Sequence, residues 1–148
     1  MGITISNHKH SIDMGAGGFA SLRTTISKLL NCQEFSDLYE DLTSFGQCRY
    51  AEKGFKSMDE YFEYHDMRVL EICERNKLDE EVVNFLYRSD CDCDSVSVKT
   101  LRHLWKFIKD YDDDCVYGYA GRPDRAMFKD FKQIVRECVE DRRVMRIS

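Results

Sequence analysis

Apolar side chains recur every three or four residues along most of this chain of 148 residues. That interval places them on one face of an α-helix, which turns once every 3.6 residues. The longest series lies near the carboxyl end and comprises Met127, Phe128, Phe131, Ile134, Val135 and Cys138. Shorter series begin at Phe19, Phe35, Tyr61, Val82 and Val98. The pattern predicts five or six amphipathic helices.

Short β-strands are predicted at the two ends of the sequence. GITIS, residues 2–6, and VMRIS, residues 144–148, contain β-branched side chains in partial alternation with polar ones. We expect these two strands to pair with each other. The predicted fold class is therefore α+β and predominantly helical, with a small β element formed by short terminal strands. Because the sequence has one proline and no Gly/Ser-rich linker, residues 1–148 are expected to form a single compact domain.

Several helix starts are marked by their first residues. Ser57 and Glu60 have the spacing of a capping box, in which a hydroxyl and a carboxylate each accept a hydrogen bond from a free backbone N–H group. Asp79 is expected to cap the next helix. Pro123 suits the first position of the last helix, where its missing N–H group costs nothing.

The charge balance limits the partners of the protein. Its 22 basic and 27 acidic residues give a net charge of −5, which excludes broad nucleic-acid binding through phosphate contacts. The acidic surface either keeps the protein soluble or faces a basic protein partner. In the second case the contact patches would be DCDCD, residues 90–94, and DYDDD, residues 110–114.

The sequence predicts a cytosolic protein with no membrane contact. No apolar run approaches the roughly 18–20 residues of a membrane helix, and no secretion signal is recognisable. The seven cysteines lack regular spacing and are expected to be reduced. Cys73 and Cys138 fall on apolar helix faces and are expected to be small core residues.

A glycine-rich stretch, GAGGF at residues 15–19, precedes the first predicted helix. The spacing excludes both the G-x-G-x-x-G and the G-x-x-x-x-G-K-[ST] nucleotide motifs. Two interpretations remain. The glycines form a simple turn, or the N–H groups of Gly17 and Gly18 bind a phosphate or carboxylate with help from Arg23.

The stretch VYGYAGRPDR, residues 116–125, is the second candidate for ligand binding. Tyr117 and Tyr119 would stack on a nucleobase, while Arg122 and Arg125 would contact phosphates. The alternative is that the tyrosines cover the core and the arginines pair with the nearby DYDDD stretch.

Metal and catalytic motifs are absent from the sequence. DYDDDC begins like an EF-hand loop, but Cys115 and Gly121 stand where that loop needs Gly and Glu. Cys91 and Cys93 are too close together for a zinc finger, and no matching Cys/His pair follows. With no G-x-S-x-G or H-E-x-x-H motif either, we expect no metal ion, cofactor or catalytic residue.

Three stretches together resemble a family of small proteins encoded by bacteriophages and prophages of low-GC Gram-positive bacteria. They are SIDMGAGGFASLRTTISKLL, VVNFLYRSDCDCDSVS and IKDYDDDCVYGYAGRPDRAMFKDFKQIVRECVEDR. The resemblance transfers no catalytic residue. It implies a small accessory protein of a virus in the host cytosol, and such proteins often counter host defence.

These observations lead to two hypotheses of function. The first is a non-enzymatic antidefence protein that sequesters a small anionic, nucleotide-derived signal molecule, as a sponge, at Gly17, Gly18, Arg23, Tyr117, Tyr119, Arg122 and Arg125. A homo-oligomer would suit it, because a pocket shared between protomers encloses a ligand more fully. The alternative is an anti-CRISPR-like inhibitor that binds a host defence protein through its acidic surface.

Overall fold

The computed structural model describes residues 3–45, 54–87, 94–111 and 128–148. Within them the chain forms six helices: α1 Gly15–Leu29, α2 Gln33–Phe45, α3 Met58–Asn76, α4 Glu80–Leu86, α5 Val98–Ile108 and α6 Phe128–Asp141. It also forms four strands: β1 Thr4–Ser6, β2 Ser11–Asp13, β3 Asp94–Val96 and β4 Met145–Ile147. The predicted α+β, predominantly helical fold class is confirmed.

The four strands form one antiparallel sheet in the order β2-β1-β4-β3. At its centre Ile5 of β1 lies opposite Ile147 of β4. The pair is extended by Thr4 and Ser148, whose N–H groups donate to each other's carbonyls at 2.7 and 2.9 Å. The predicted pairing of the terminal strands is therefore confirmed, and β2 and β3 are added at the two edges.

The buried side chains of the sheet and the apolar faces of the helices meet in one core cluster. From the sheet it receives Ile5, Val96, Met145 and Ile147. Aromatic rings connect the helices, since Phe85 of α4 contacts both Phe19 of α1 and Phe131 of α6 with ring centroids 6.4 Å apart. The predicted core positions Cys138 and Cys73 are buried and partly buried, and both are free thiols.

Two of the predicted helix caps are present. The Ser57 hydroxyl accepts from the Glu60 N–H group at 3.2 Å, but the Glu60 carboxylate accepts from the N–H group of Lys56 rather than from that of Ser57. The Asp79 carboxylate accepts from the N–H groups at the second and third positions of α4. Pro123 lies outside the described residues.

The glycine-rich stretch is the first turn of α1, and no loop separates it from the helix. Gly15 is buried and has a φ of 72°. This left-handed conformation favours glycine, because a residue with a side chain would be strained there. The N–H group of the preceding residue, Met14, donates to the carbonyl of Ile3 at 2.8 Å and so fixes the helix start beside the sheet. The apolar pattern alone placed this start at Phe19, because glycines contribute nothing to such a pattern.

Candidate functional site

The predicted site residues of α1 lie in different surroundings. Gly17 is exposed, and a Cβ atom built on it would meet nothing within 4 Å. Its N–H group belongs to the first turn, where no preceding helical carbonyl is available to accept it. Gly18 is half-buried and is the fourth residue of the helix, where intrahelical hydrogen bonding begins.

Arg23 is buried on the core side of α1. Its guanidinium carbon lies 4.4 Å from the centroid of the Phe19 ring, which is a cation–π contact between residues one helical turn apart. Only 7% of Arg23 is exposed, whereas Gly17 faces solvent. The structure therefore does not bring Arg23 and Gly17 to the same side of the helix.

The other four predicted site residues, Tyr117, Tyr119, Arg122 and Arg125, lie outside the described residues. Their roles, and their distance from residues 15–23, stay predictions. The described residues on either side of their segment are Tyr111, just after α5, and Phe128, the first residue of α6. The rings of Tyr111 and Phe128 have centroids 4.7 Å apart.

An open groove of about 510 Å³ runs between α5 and α6, close to this junction. Its volume falls within the roughly 300–1,000 Å³ that is common for ligand sites. We call it the α5/α6 groove, and it is lined by Trp105, Lys109, Lys129, Asp130, Lys132, Gln133 and Arg136.

The lining of the groove is strongly basic. It combines four cations with one carboxylate on a protein of net charge −5. Among the residues that the structure describes, Lys109, Lys129 and Arg136 form no ion pair within 4.0 Å. Lys132 donates from Nζ to the carbonyl of Tyr111 at 3.0 Å. Three cations are thus available to an anion, while the fourth holds the end of α5 against α6.

Trp105 supplies the aromatic surface of the groove. It is half-buried and packs partly against the core, and it also lines the groove. It belongs to the apolar series that begins at Val98, together with Leu104 and Ile108, both of which are fully buried. An indole beside several cations is suited to a ligand that combines a flat ring with a separate anionic group.

The turn between β1 and β2 fixes the position of α6, which forms one wall of the groove. Asn7 donates from Nδ2 to the carbonyl of Ile134 at 3.1 Å and to the carboxylate of Glu137 at 3.2 Å. His10 Nδ1 lies 2.6 Å from the same carboxylate, and His8 Nε2 lies 2.7 Å from Asp141. Both histidines are exposed, and each contacts an acid of α6.

These contacts change the acidity of both carboxyl groups. Desolvation raises the pKa of Glu137. The hydrogen bonds from His10 and Asn7, together with nearby positive charge, outweigh this effect, so the net pKa lies below the ordinary 4.5. The hydrogen bonds from His8 and Lys9 lower the pKa of Asp141 below its ordinary 3.8. Both groups are therefore ionised at neutral pH, and the ionised form stabilises this contact.

The described lining of the groove offers ionic contacts, hydrogen-bond donors and an aromatic surface. Its described lining contains no cysteine, histidine or hydroxyl nucleophile, and Asp130 is its single carboxylate. No group of three or more potential metal-binding side chains occurs within the described part of the chain. Buried His65 lies elsewhere, on α3, with Nε2 3.1 Å from the Tyr87 hydroxyl.

Sequence reasoning missed the groove, although part of its signal was present. Lys129, Lys132 and Arg136 recur at intervals of three and four and so form a basic stripe along α6. Trp105 and Lys109 have the same relation on α5. The side-by-side packing of these two helices could not be inferred from any sequence pattern.

Comparisons with known proteins assign the chain to no family. No protein-family model matches the sequence, and no curated protein or solved structure matches it at a significant level. No helix in the described ranges combines the length and the apolar character needed to cross a bilayer.

Proposed function

We propose that the protein binds a small anionic, nucleotide-derived molecule in the α5/α6 groove and sequesters it without chemical conversion. The observation that carries the proposal is the concentration of four cations and an indole in one groove of an acidic protein. A net charge of −5 would repel anions over most of the surface. The groove is therefore a positively charged region on a negatively charged protein.

Each part of the lining has a role in this proposal. Lys109, Lys129 and Arg136 bind phosphate oxygens, and the arginine is able to donate two parallel hydrogen bonds. Trp105 stacks on the base. The cations and the indole of the described lining are suited to holding an anion and a base, so the proposed role is capture rather than hydrolysis.

The second predicted segment, residues 116–125, enters the proposal as a further source of ligand contacts. Tyr117, Tyr119, Arg122 and Arg125 belong to the connection between the two helices that form the groove. The proposal assigns them further stacking and phosphate contacts to the same ligand. It makes no use of Gly17, Gly18 or Arg23, because Arg23 is buried against Phe19.

The biological setting that we propose rests on the sequence resemblance. A bacteriophage protein in the host cytosol that captures a nucleotide signal would prevent that signal from activating a defence protein. Sequestration requires high affinity and an abundant binder rather than turnover. A second protomer would help by covering the open side of the groove.

The test is a thermal-stability screen of the purified protein. The panel contains cyclic and linear nucleotides, the corresponding nucleosides, and inorganic pyrophosphate. A ligand present at a thousandfold excess over its Kd stabilises the folded state by about 4 kcal/mol. We expect one nucleotide class to produce such a shift, and the bound molecule to be recovered intact after denaturation.

Variants separate the parts of the site. Trp105→Ala should reduce the preference for nucleotides over pyrophosphate, whereas Lys129→Ala with Arg136→Ala should weaken the binding of both. Lys106→Ala is the matched control, because Lys106 is an exposed cation of α5 that does not line the groove. Tyr117→Ala with Tyr119→Ala tests the connecting segment.

Three results would overturn the proposal. The first is the absence of any stabilisation across the panel. The second is a shift that Lys106→Ala removes as effectively as the groove variants do. The third is recovery of a chemically altered ligand, which would identify an enzyme in place of a sponge.

A further inference from the structure

The outward side of α3 combines exposed apolar side chains with excess negative charge. Tyr64, Met67 and Leu70 expose 49%, 62% and 63% of their surface, and they are three of the four large apolar residues that are exposed within the described ranges. The helix contains two arginines and six carboxylates, namely Asp59, Glu60, Glu63, Asp66, Glu71 and Glu74. A solvated helix face does not need large apolar side chains at its centre.

The apolar and acidic residues follow a regular stripe. Glu63, Met67, Leu70 and Glu74 are separated by four, three and four residues, so they lie in one row along the helix. The row is about 16 Å long at 1.5 Å per residue. We call it the α3 stripe. Its two apolar residues are flanked at each end by a carboxylate.

The carboxylates of the stripe are not neutralised within the described structure. Glu63 and Glu74 form no ion pair within 4.0 Å among the described residues. The two arginines of α3 are directed elsewhere, since both Arg68 and Arg75 pair with Glu34 of α2. The negative charge of the stripe is therefore available to an external cation.

A slot of mixed polar and apolar lining lies beside the stripe. Tyr64 also lines this open groove of about 610 Å³ between α2 and α3, together with Leu38 and Phe55. Its charged lining residues are Glu34, Asp37 and Arg68, the last of which pairs with Glu34. The slot gives a partner a place for an anchoring side chain next to the row of Met67 and Leu70.

We propose that the α3 stripe is a docking site for a basic amphipathic helix of a partner protein. Such a helix would present two apolar residues at the spacing of Met67 and Leu70, with a lysine or arginine on either side. Side-by-side helix packing buries the apolar pair, and the flanking cations meet Glu63 and Glu74. Methionine suits this role because its flexible side chain adapts to different partners.

Charge argues against a second copy of this chain as the occupant. Two stripes packed in parallel would place Glu63 against Glu63, and two packed antiparallel would place Glu63 against Glu74. Both arrangements bring like charges together at the ends of the contact, which disfavours association.

The probe is a labelled helical peptide of about four turns that carries the Lys-x3-Leu-x2-Leu-x3-Lys pattern. One control peptide replaces both lysines with glutamate, and another replaces both leucines with serine. Binding is measured by fluorescence anisotropy at low and at physiological salt. We expect the Lys/Leu peptide to bind more tightly than either control, and its affinity to fall as salt rises.

The protein variant Met67→Gln with Leu70→Gln removes the apolar pair and keeps good helix formers in place. We expect the affinity for the Lys/Leu peptide to fall about tenfold or more, because burial of two large apolar side chains is lost. Val144→Ser is the matched control, since Val144 is exposed but lies before β4. Circular dichroism melting of both variants verifies that the fold is intact.

The proposal is overturned if the Lys/Ser peptide binds as tightly as the Lys/Leu peptide, because bulk charge would then explain the affinity. An unchanged affinity in the Gln variant would overturn it as well. So would sedimentation that reveals a dimer dissociated by this variant, since the face would then belong to a second copy. None of these outcomes affects the α5/α6 groove, which shares no residue with the stripe.

Discussion

The α5/α6 groove and the α3 stripe carry opposite charges on the same small protein. The groove gathers four cations around an indole, whereas the stripe places two carboxylates at the ends of an exposed apolar pair. A net charge of −5 describes neither surface. The net charge of the whole chain therefore describes only the average surface. The charge of each helix face must be considered separately before a class of partner is excluded.

The two surfaces also differ in how their helices are held. The carboxyl-terminal half of α6 is held by side chains from the turn that follows β1, including a bond to the buried Glu137. By contrast, α3 is tied to α2 through ion pairs of Arg68 and Arg75 with Glu34, all at the surface. Buried polar contacts contribute more than exposed ion pairs. The groove wall is therefore more rigidly fixed than the stripe.

The largest expected effect is on ligand binding in the groove. Lys129→Glu with Arg136→Glu should remove the whole ligand-induced stabilisation, about 4 kcal/mol at a thousandfold excess, because the groove would then repel anions. The Lys/Leu peptide should still bind the α3 stripe with unchanged affinity. Thermal melts with the nucleotide and anisotropy with the peptide measure the two responses. Loss of both responses would mean that the surfaces are not independent.

A smaller effect is expected on stability when the contacts between α6 and the turn after β1 are removed. We call these contacts, made by Asn7 and His10 to Ile134 and Glu137, the anchor of α6. Asn7→Ala removes two hydrogen bonds to α6 and two that close the turn after β1. We expect the free energy of unfolding to fall by about 1–3 kcal/mol in urea denaturation, since partly buried partners lose their bonds. Asn76→Ala is the control, because its side chain bonds only to a carbonyl of its own helix. Equal losses would contradict the difference between the two anchors.

The pH dependence of the same anchor gives a third prediction. The folded-state pKa of Glu137 lies below 4.5, so its ionised form stabilises the fold above that value and the contribution is lost as pH falls through the folded-state pKa. Between about pH 5 and pH 3, wild-type stability should therefore fall more steeply than that of Glu137→Gln. Urea titrations at each pH measure the two slopes. A wild-type slope no steeper than that of Glu137→Gln would contradict this prediction.

The smallest effect on the free energy of unfolding is expected for the ion pairs between α2 and α3. Glu34→Gln removes the carboxylate that Arg68 and Arg75 share, but all three groups are substantially exposed. We expect a loss of no more than about 1 kcal/mol, which should shrink further at high salt. A loss as large as that of Asn7→Ala would show that the two helices are held equally firmly.

The helices were predictable because long amphipathic segments repeat their signal many times. The series that begins at Val98 corresponds to α5, and the series from Met127 to Cys138 corresponds to α6, although Met127 itself lies outside the described residues. Strands β2 and β3 were not predicted, because three residues are too few to establish alternation and each strand contains an aspartate, which is rare in strands. The pairing of the two chain ends was predictable because both have strand-like composition.

The candidate site was less predictable than the fold. A glycine-rich helix entry and a nearby arginine suggested a shared anion site, but a helix turns successive residues to different sides. Arg23 consequently faces Phe19 in the interior while Gly17 faces solvent. The basic groove needs side chains from α5 and α6 together, and only their packing brings these into one place.

The arrangement of the sheet has a consequence for how the protein acquires its structure on the ribosome. Ile5 is synthesised about 140 residues before Ile147, its neighbour across the sheet. Helices can form and collide while the chain is still growing, because their contacts are largely local. The central strand pair must wait until β4 has emerged. Until then β1 has an open edge, so a nascent chain stalled before β4 should be the form most exposed to aggregation and proteases.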